Sequence, residues 1–535
     1  MLTVERLAAA AREALAVARE ARDLLDAEVY VSARSTTLAR LSYASHIPSN
    51  GVEEPKSSDA SGIGIRAVFA RDGGRAVGFG SEPSGLDARA ARRVLDKARA
   101  AAVVDPEFVS LPLLGPDAAG LGDHHDPALL DLSDDALVTA GWTVLGGALR
   151  AFRASSRLAR LAESEDALRR LGLIVGGDVT VDAERVATTS TRTRDAMGRA
   201  DAPGGRADAP VFTDQTTRIT SFVTAMIEAA NAKGSGWSAG TRLDDLTDEA
   251  GVEAAERAIR AIGGERVPEG RYTVIFGRQP IADLMNTVIA PSLSAMSFYT
   301  SSTPFLGRLG QRIASPVLTV VDDGARPGFV ASRRITGEGL PTGRTVLIRE
   351  GVLSGCLSSW YQTERLLRDA DLLRKLGASG EAARAALVPR NGFRGGRGFD
   401  ERPGVAASNL LIESRETMPF ETLVRTVNDG LYIGRIWYSY PINGLRAGDF
   451  TSTVVGDSYI IRDGRLAAPI RANVIRIDDN IRTVLEGVIG VSDDTRATIV
   501  WAADEVVYTP DIAVAGVRVN EIRHGTSART APTTA

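Results

Sequence analysis

Cysteine is almost missing from this sequence: Cys356 is the only one in 535 residues. A lone thiol excludes an intrachain disulfide and any thiolate cluster around a metal, and it suits a reducing compartment. Histidine is nearly as scarce, with only His46, His124, His125 and His524. No two of these stand four apart, so no helix turn presents a pair of imidazoles to a metal ion. The pair His124–His125 sits in GLGDHHDP, a breaker-rich context that predicts a solvated loop with the two side chains pointing apart. A basic excess is also absent. Lys and Arg number 63 against 67 Asp and Glu, a net charge of −4, so nucleic acid is not an expected partner. No segment approaches the ~20 uninterrupted apolar residues of a membrane helix, and no membrane association is expected. The opening MLTVERLAAAAREALAVAREARDLL is broken by Glu5, Arg12, Arg19 and Glu20, which leaves no apolar core for a secretory signal. These absences together predict a cytoplasmic protein.

What is present is ordinary for a globular chain: 44% hydrophobic and 24% charged residues. The pattern predicts an α+β protein in three regions. Residues 1–132 form an N-terminal α+β domain with a linker, 133–270 a middle α+β domain, and 271–523 a strand-rich C-terminal domain. The tail 524–535 has too few apolar residues to fold. Residues 3–25 have the 3.6-residue apolar periodicity of an amphipathic helix. AEVYVSA and TTLARLSYA alternate as two strands. SGIGIRAVFARDGGRAVGFGS reads as a hairpin turning at Asp72-Gly73-Gly74, since glycine supplies the positive φ of tight turns. Its GIGIRA glycines are not a dinucleotide loop, because the run continues into a strand and no third glycine opens a helix. A helix begins near Ser84, and residues 105–132 read as the linker. Ser133 caps the next helix. LGLIVGG, DVTVDAERVATTST and RITSFVTAMIEA read as strands, and a further helix starts at Thr247. Beyond 271 strands dominate, with REG and RDG as hairpin turns and helices over 280–289, 364–376 and 419–428.

Several residues invite chemistry. Asp322-Asp323 and Asp478-Asp479 place paired carboxylates at strand ends, but no third ligand is in register and aspartates cap turns. The Arg/Gly-rich stretch 388–404 reads as an exposed insertion loop. Cys356 has no basic residue near it in sequence, and a core position suits it better than a nucleophile's role. Trp437, Tyr438 and Tyr440 cluster in a chain that is only 5% aromatic. On a regular strand Tyr438 and Tyr440 share one face opposite Trp437, fit to line a groove or to pack in a core.

SGIGIRAVFARDGGRAVGFGS with its following helix resembles the N-terminal signature of the TldD/PmbA family, metallopeptidase-related proteins also called modulators of DNA gyrase. FLGRLGQRIASPVLTVVDDG, EGLPTGRTVLIREGVLSGCL, SNLLIE and the run from LYIGRI to AGDFTSTVVGDSYIIRDGRLAAPI resemble the family's C-terminal domain. The resemblance covers roughly residues 27–520. It implies two kinds of chain. TldD-type subunits carry His-Glu-x-x-x-His on a helix just before the FLGRLG-like segment, with a late cysteine completing a zinc site. TldE/PmbA-type subunits lack these ligands and pair with a TldD-type chain to process peptides. Here residues 272–299 stand where that helix belongs and contain no His, Glu or Cys, and residues 491–506 contain no Cys. The family's Asp-Asp-Glu-Gly segment is replaced by Thr336-Gly337-Glu338-Gly339. The resemblance therefore implies a TldE/PmbA-like chain with no metal or cofactor of its own. Its expected partners are a His-Glu-x-x-x-His subunit or a second copy of itself, and a peptide substrate. Asn286, Phe298, Tyr299, Glu338, Tyr438 and Tyr440 are the cleft candidates. A stand-alone enzyme with different cleft chemistry and a non-catalytic peptide-binding scaffold remain as alternatives.

Overall fold

The computed structural model describes residues 1–47, 50–71, 74–115, 121–194, 209–500 and 505–522. The expected tail 524–535 and the turn residues Asp72 and Gly73 lie outside them.

Helix α1 (Val4–Arg19) starts where the Thr3 hydroxyl accepts the Arg6 N–H at 3.3 Å, and it buries Leu7, Ala11, Ala14, Leu15 and Ala18 along one stripe. It stops short of residue 25 because Leu24 and Leu25 already belong to β1 (Leu24–Ala44), which merges the two expected strands into one of 21 residues. The hairpin is present as β2 (Lys56–Arg71) and β3 (Gly74–Pro83), followed by α2 (Ala88–Ala100). Ser133 caps α3 (Asp134–Ala154), accepting the Ala136 N–H at 3.2 Å. Strands β4 (Leu173–Ser190), β5 (Phe212–Ile227) and β6 (Ala232–Gly240) precede α4 (Glu249–Arg260).

All these strands belong to one antiparallel sheet, in the order β3-β2-β1-β4-β5-β6. Strand β1 pairs with β4 from Glu28 opposite Ser190 to Ala44 opposite Ile174. The connection at 132/133 thus joins two parts of a single sheet and does not separate two sheets. Residues 105–132 are more than a linker: Leu111 and Leu114 are fully buried, and Leu114 bridges to Thr193. The strands alternate strictly. Val29, Val31 and Ala33 of β1 pack under α1 and α2, while Ala39 and Leu41, on the same side, pack under α3. Glu28, Tyr30, Ser32, Arg34 and Thr36 face the other way, toward the C-terminal region.

Among the described residues that region contains two large sheets and a two-stranded ribbon of Gly392–Phe393 with Gly404–Val405. In the larger, Gly430–Pro441 pairs with Gly270–Phe276 and also with Asp449–Arg462, so the sheet closes on itself. The smaller includes Thr319–Asp323, Arg344–Arg349 and Asn409–Glu413. The REG and RDG hairpins turn through Glu350-Gly351 and Asp463-Gly464, all four at positive φ, as two-residue hairpin turns require.

The Arg/Gly-rich stretch is not an exposed insertion. Phe399 is 1% exposed and lies over β2, where a Cβ at Gly62 would come within 2.7 Å of its ring and one at Gly64 within 2.2 Å of its carbonyl oxygen. The GIGIRA glycines are there to let this loop approach. Arg394 follows it inward and stacks its guanidinium 4.3 Å from the Tyr30 ring centroid.

Candidate functional site: a charged cleft between sheet and C-terminal loops

The outward face of the N-terminal sheet is polar by cross-strand register. Arg34 of β1 sits opposite Glu184 of β4, and Thr36 opposite Asp182. Asp182 in turn sits opposite Arg218 of β5. Each pair closes: Arg34–Glu184 at 2.8 Å, Thr36–Asp182 at 2.7 Å and Arg218–Asp182 at 2.7 Å. The segments 330–333 and 393–408 and Glu505 stand over this face and enclose a cleft of about 700 Å³. Arg333 spans the gap, its guanidinium 2.8 Å from the second Glu184 oxygen. Burial alone raises the Glu184 pKa, but the Arg333 and Arg34 guanidiniums outweigh it and hold the carboxyl below its ordinary range.

Beside the cleft, Glu28 accepts from Arg66 at 2.5 Å and from Arg394, all three buried. Glu338 joins this cluster 3.9 Å from Arg66 and accepts the Trp360 N–H at 2.8 Å. It is fully buried, so it is a packing element under the 336–340 turn and not a cleft wall. Burial pushes its carboxyl up to about 7, with Arg66 opposing.

Strand Gly270–Phe276 feeds helix Arg278–Leu284, which widens into a π turn over Met285–Ile289. Asn286 lies on this turn. Its amide reaches the Glu505 carbonyl at 3.5 Å, which brings it to the cleft rim, and its Oδ1 is buried without a partner. One turn earlier Asp283 accepts the Ser439 hydroxyl at 3.0 Å, and Ser452 donates to Ser439 at 2.7 Å. Burial pushes Asp283 up to about 6. Asp283 is the only carboxylate on the stretch 278–292. Among the described residues no three His, Cys, Asp or Glu side chains gather closely enough to hold a metal ion.

The other sequence candidates sit elsewhere. Phe298 is fully buried in the C-terminal core. Tyr299 donates its hydroxyl to Glu107 and lies under the Arg365 guanidinium, 3.5 Å from its ring centroid. Tyr438 and Tyr440 are 74% and 52% exposed. They do not share a face of a regular strand, because the register breaks between Trp437 and Tyr440 and Tyr438 takes a φ of +55°. Cys356 is buried in the core, and desolvation pushes its thiol up to about 12. The paired aspartates bind the chain to itself. Asp322 accepts from Asn391 and the Ser408 N–H, each at 2.6 Å, and Asp479 accepts the Arg518 N–H at 2.7 Å.

The cleft residues Arg34, Asp182, Glu184, Arg218 and Arg333 did not stand out in the sequence. For Asp182 and Glu184 the signal was the charge at alternate positions of DVTVDAERV, and for Arg34 a lone charge between the two runs of β1, legible as one polar face only once β1 and β4 are known to pair. The expected solvated loop at 124–125 is also corrected. His124 is 4% exposed, with Nε2 2.9 Å from Asp214, and the two imidazoles meet edge to face at 5.3 Å.

Residues 269–521 match the model of the PmbA/TldA metallopeptidase C-terminal domain. A metalloprotease of Methanothermobacter thermautotrophicus is 24% identical over 290 residues, 53% of this chain and 58% of that one. A metalloprotease PmbA homolog of Buchnera aphidicola is 22% identical over 284 residues, 52% and 55% of the two chains. The chain thus spans little more than half the length of these curated relatives. The fold is shared far more widely than the identity. The crystal structure of TldE from Thermococcus kodakarensis superposes with a TM-score of 0.72 at 17% identity, covering 92% of this chain and 96% of that one. The expected α+β architecture with a strand-rich C-terminal region is therefore present, and residues 269–521 are a PmbA/TldA-type C-terminal domain.

Proposed function

We propose that the chain is the metal-free subunit of a two-chain, cytoplasmic peptide-processing assembly. One observation carries the reading: on the stretch 278–292, where the family places its zinc ligands, the only ionisable carboxylate is Asp283, and Ser439 already engages it. Zinc needs three or four such donors, so these residues do not fit that ion. The cleft supports a role in holding peptide. Its walls carry both signs of charge in matched pairs, and Gly395, Gly396, Ala406 and Ala407 leave backbone open to an extended chain. In this reading a partner bearing His-Glu-x-x-x-His supplies the metal and the activated water, and this chain supplies a wall of the enclosure. Nothing in the site favours a stand-alone enzyme. The Cys356 thiol stays protonated at neutral pH, and Glu338 is sealed from solvent.

Co-purification from the source organism followed by metal analysis tests this. The expected result is a zinc-bearing partner chain and a zinc-free subunit. Stoichiometric zinc on the isolated chain, or peptide turnover by it in excess chelator, would sink the proposal.

A further inference from the structure

A second cavity, of about 460 Å³, opens where the start of α1, strand β5 and the 124–125 loop meet. It is separated from the large cleft by a constriction of only about 10 Å³ beside Tyr30 and Ile335. Its walls include Glu5, His124, His125, Arg185, Asp214 and Arg334.

The acids here are already engaged. Asp214 takes His124 Nε2 at 2.9 Å, the Gln215 N–H at 2.9 Å and the Arg334 N–H at 2.6 Å. Glu5 lies in the first turn of α1, and its carboxyl is turned to the helix's own N–H and the Thr3 hydroxyl. The donors are not engaged. His125 Nε2 lies 3.0 Å from the amide nitrogen of Gln215. That amide only donates, so Nε2 accepts and the ring proton sits on Nδ1. His125 Nδ1 is buried without a partner, and so are Arg185 Nε and Arg334 Nε; His124 Nδ1, the accepting nitrogen of a ring whose Nε2 donates to Asp214, is unpartnered too. Arg185 is held at its other end by the Leu2 carbonyl at 3.0 Å. The Arg334 guanidinium forms no ion pair or hydrogen bond among the described residues. Three unpartnered N–H donors around one cavity is a concentration that buried polar groups rarely show without something to accept from them. The sixteen-residue helix α1 adds the positive end of its dipole at Thr3, Val4 and Glu5.

We propose that this cavity binds a small oxyanion, a phosphate or carboxylate group, with Arg334 as its counter-ion and the His125 Nδ1–H as a directional donor. The site is distinct from the peptide cleft and does not depend on the reading given to that cleft.

Calorimetric titration of the full chain at constant ionic strength, with inorganic phosphate and acetate as separate probes, tests it. Saturable binding of at least one probe is expected. It should weaken ~10-fold or more in Arg334→Gln, the loss of one charge-assisted contact, and stay unchanged in Arg465→Gln, which removes an exposed arginine elsewhere. Binding of phosphate alone assigns a phosphate group, and binding of acetate assigns a carboxylate. No saturable binding of either, or wild-type binding by Arg334→Gln, overturns the proposal. Should that variant not fold, hydrogen exchange on the wild-type chain decides. A bound probe slows exchange over residues 3–6 and 213–215, and unchanged exchange at saturating probe overturns the site.

Discussion

All three guanidinium nitrogens of Arg394 bond within the protein. Its Nε donates to the Gly337 carbonyl at 2.8 Å, one terminal nitrogen to the Glu401 carbonyl at 2.6 Å, and the other to Glu28. Arg394→Ala leaves Glu28 buried with Arg66 alone, and the expected loss is about 3–5 kcal/mol in urea unfolding. Lysine should not rescue it, since a point charge cannot reproduce three divergent bonds. Glu338, in the same cluster, titrates near 7 in the folded chain against an ordinary value of 4.5. The native state then holds this proton more tightly than the unfolded state. Its contribution is most favourable below about 4.5 and declines as pH rises through about 7. Glu338→Gln should match the wild type in unfolding experiments at pH 4.5 and exceed it at pH 8. Equal stability at both values would show that the carboxyl is not desolvated. The Cys356 thiol, raised to about 12, should react with a disulfide reagent only as fast as the chain unfolds.

Elements show what could be read before the fold was known. The amphipathic helices and the β2–β3 hairpin are local: their periodicity and caps lie within a few residues of one another, and the sequence displays them directly. AEVYVSA and TTLARLSYA merge into β1 along its pairing with β4, which is non-local and leaves only a faint trace of alternating charge. The purpose of the GIGIRA glycines was hidden for the same reason, because the ring they admit lies far along the chain. Gly64→Ala would set a methyl group 2.2 Å from the Phe399 carbonyl oxygen, against rigid backbone. A destabilisation of about 1–3 kcal/mol is expected in thermal unfolding. Gly404→Ala, with nothing within 4 Å of its Cβ, should be close to neutral.

The cleft exists only at the scale of the whole molecule, since the sheet gives one wall and the C-terminal loops give the other. Gly395 lines it, and a side chain placed there meets nothing within 4 Å of its Cβ. Gly395→Trp should therefore fill the cleft without unfolding the chain. Under the proposed two-chain reading, KM for peptides in the assembled complex should rise several-fold while zinc content stays the same. Unaltered KM would place the peptide elsewhere.

The position of β1 has a consequence for synthesis. It is a central strand, hydrogen-bonded to β2 on one side and β4 on the other, and Ser190 reaches back 163 residues to the Ala27 carbonyl. At ribosomal speeds of about 5–20 residues per second, roughly 8–30 s pass between the emergence of the two strands. Throughout that interval the nascent chain presents a long open strand edge, the kind of template on which neighbouring polypeptides stack. Translation pauses before residue 190 would prolong this exposure, and chaperone demand should peak there.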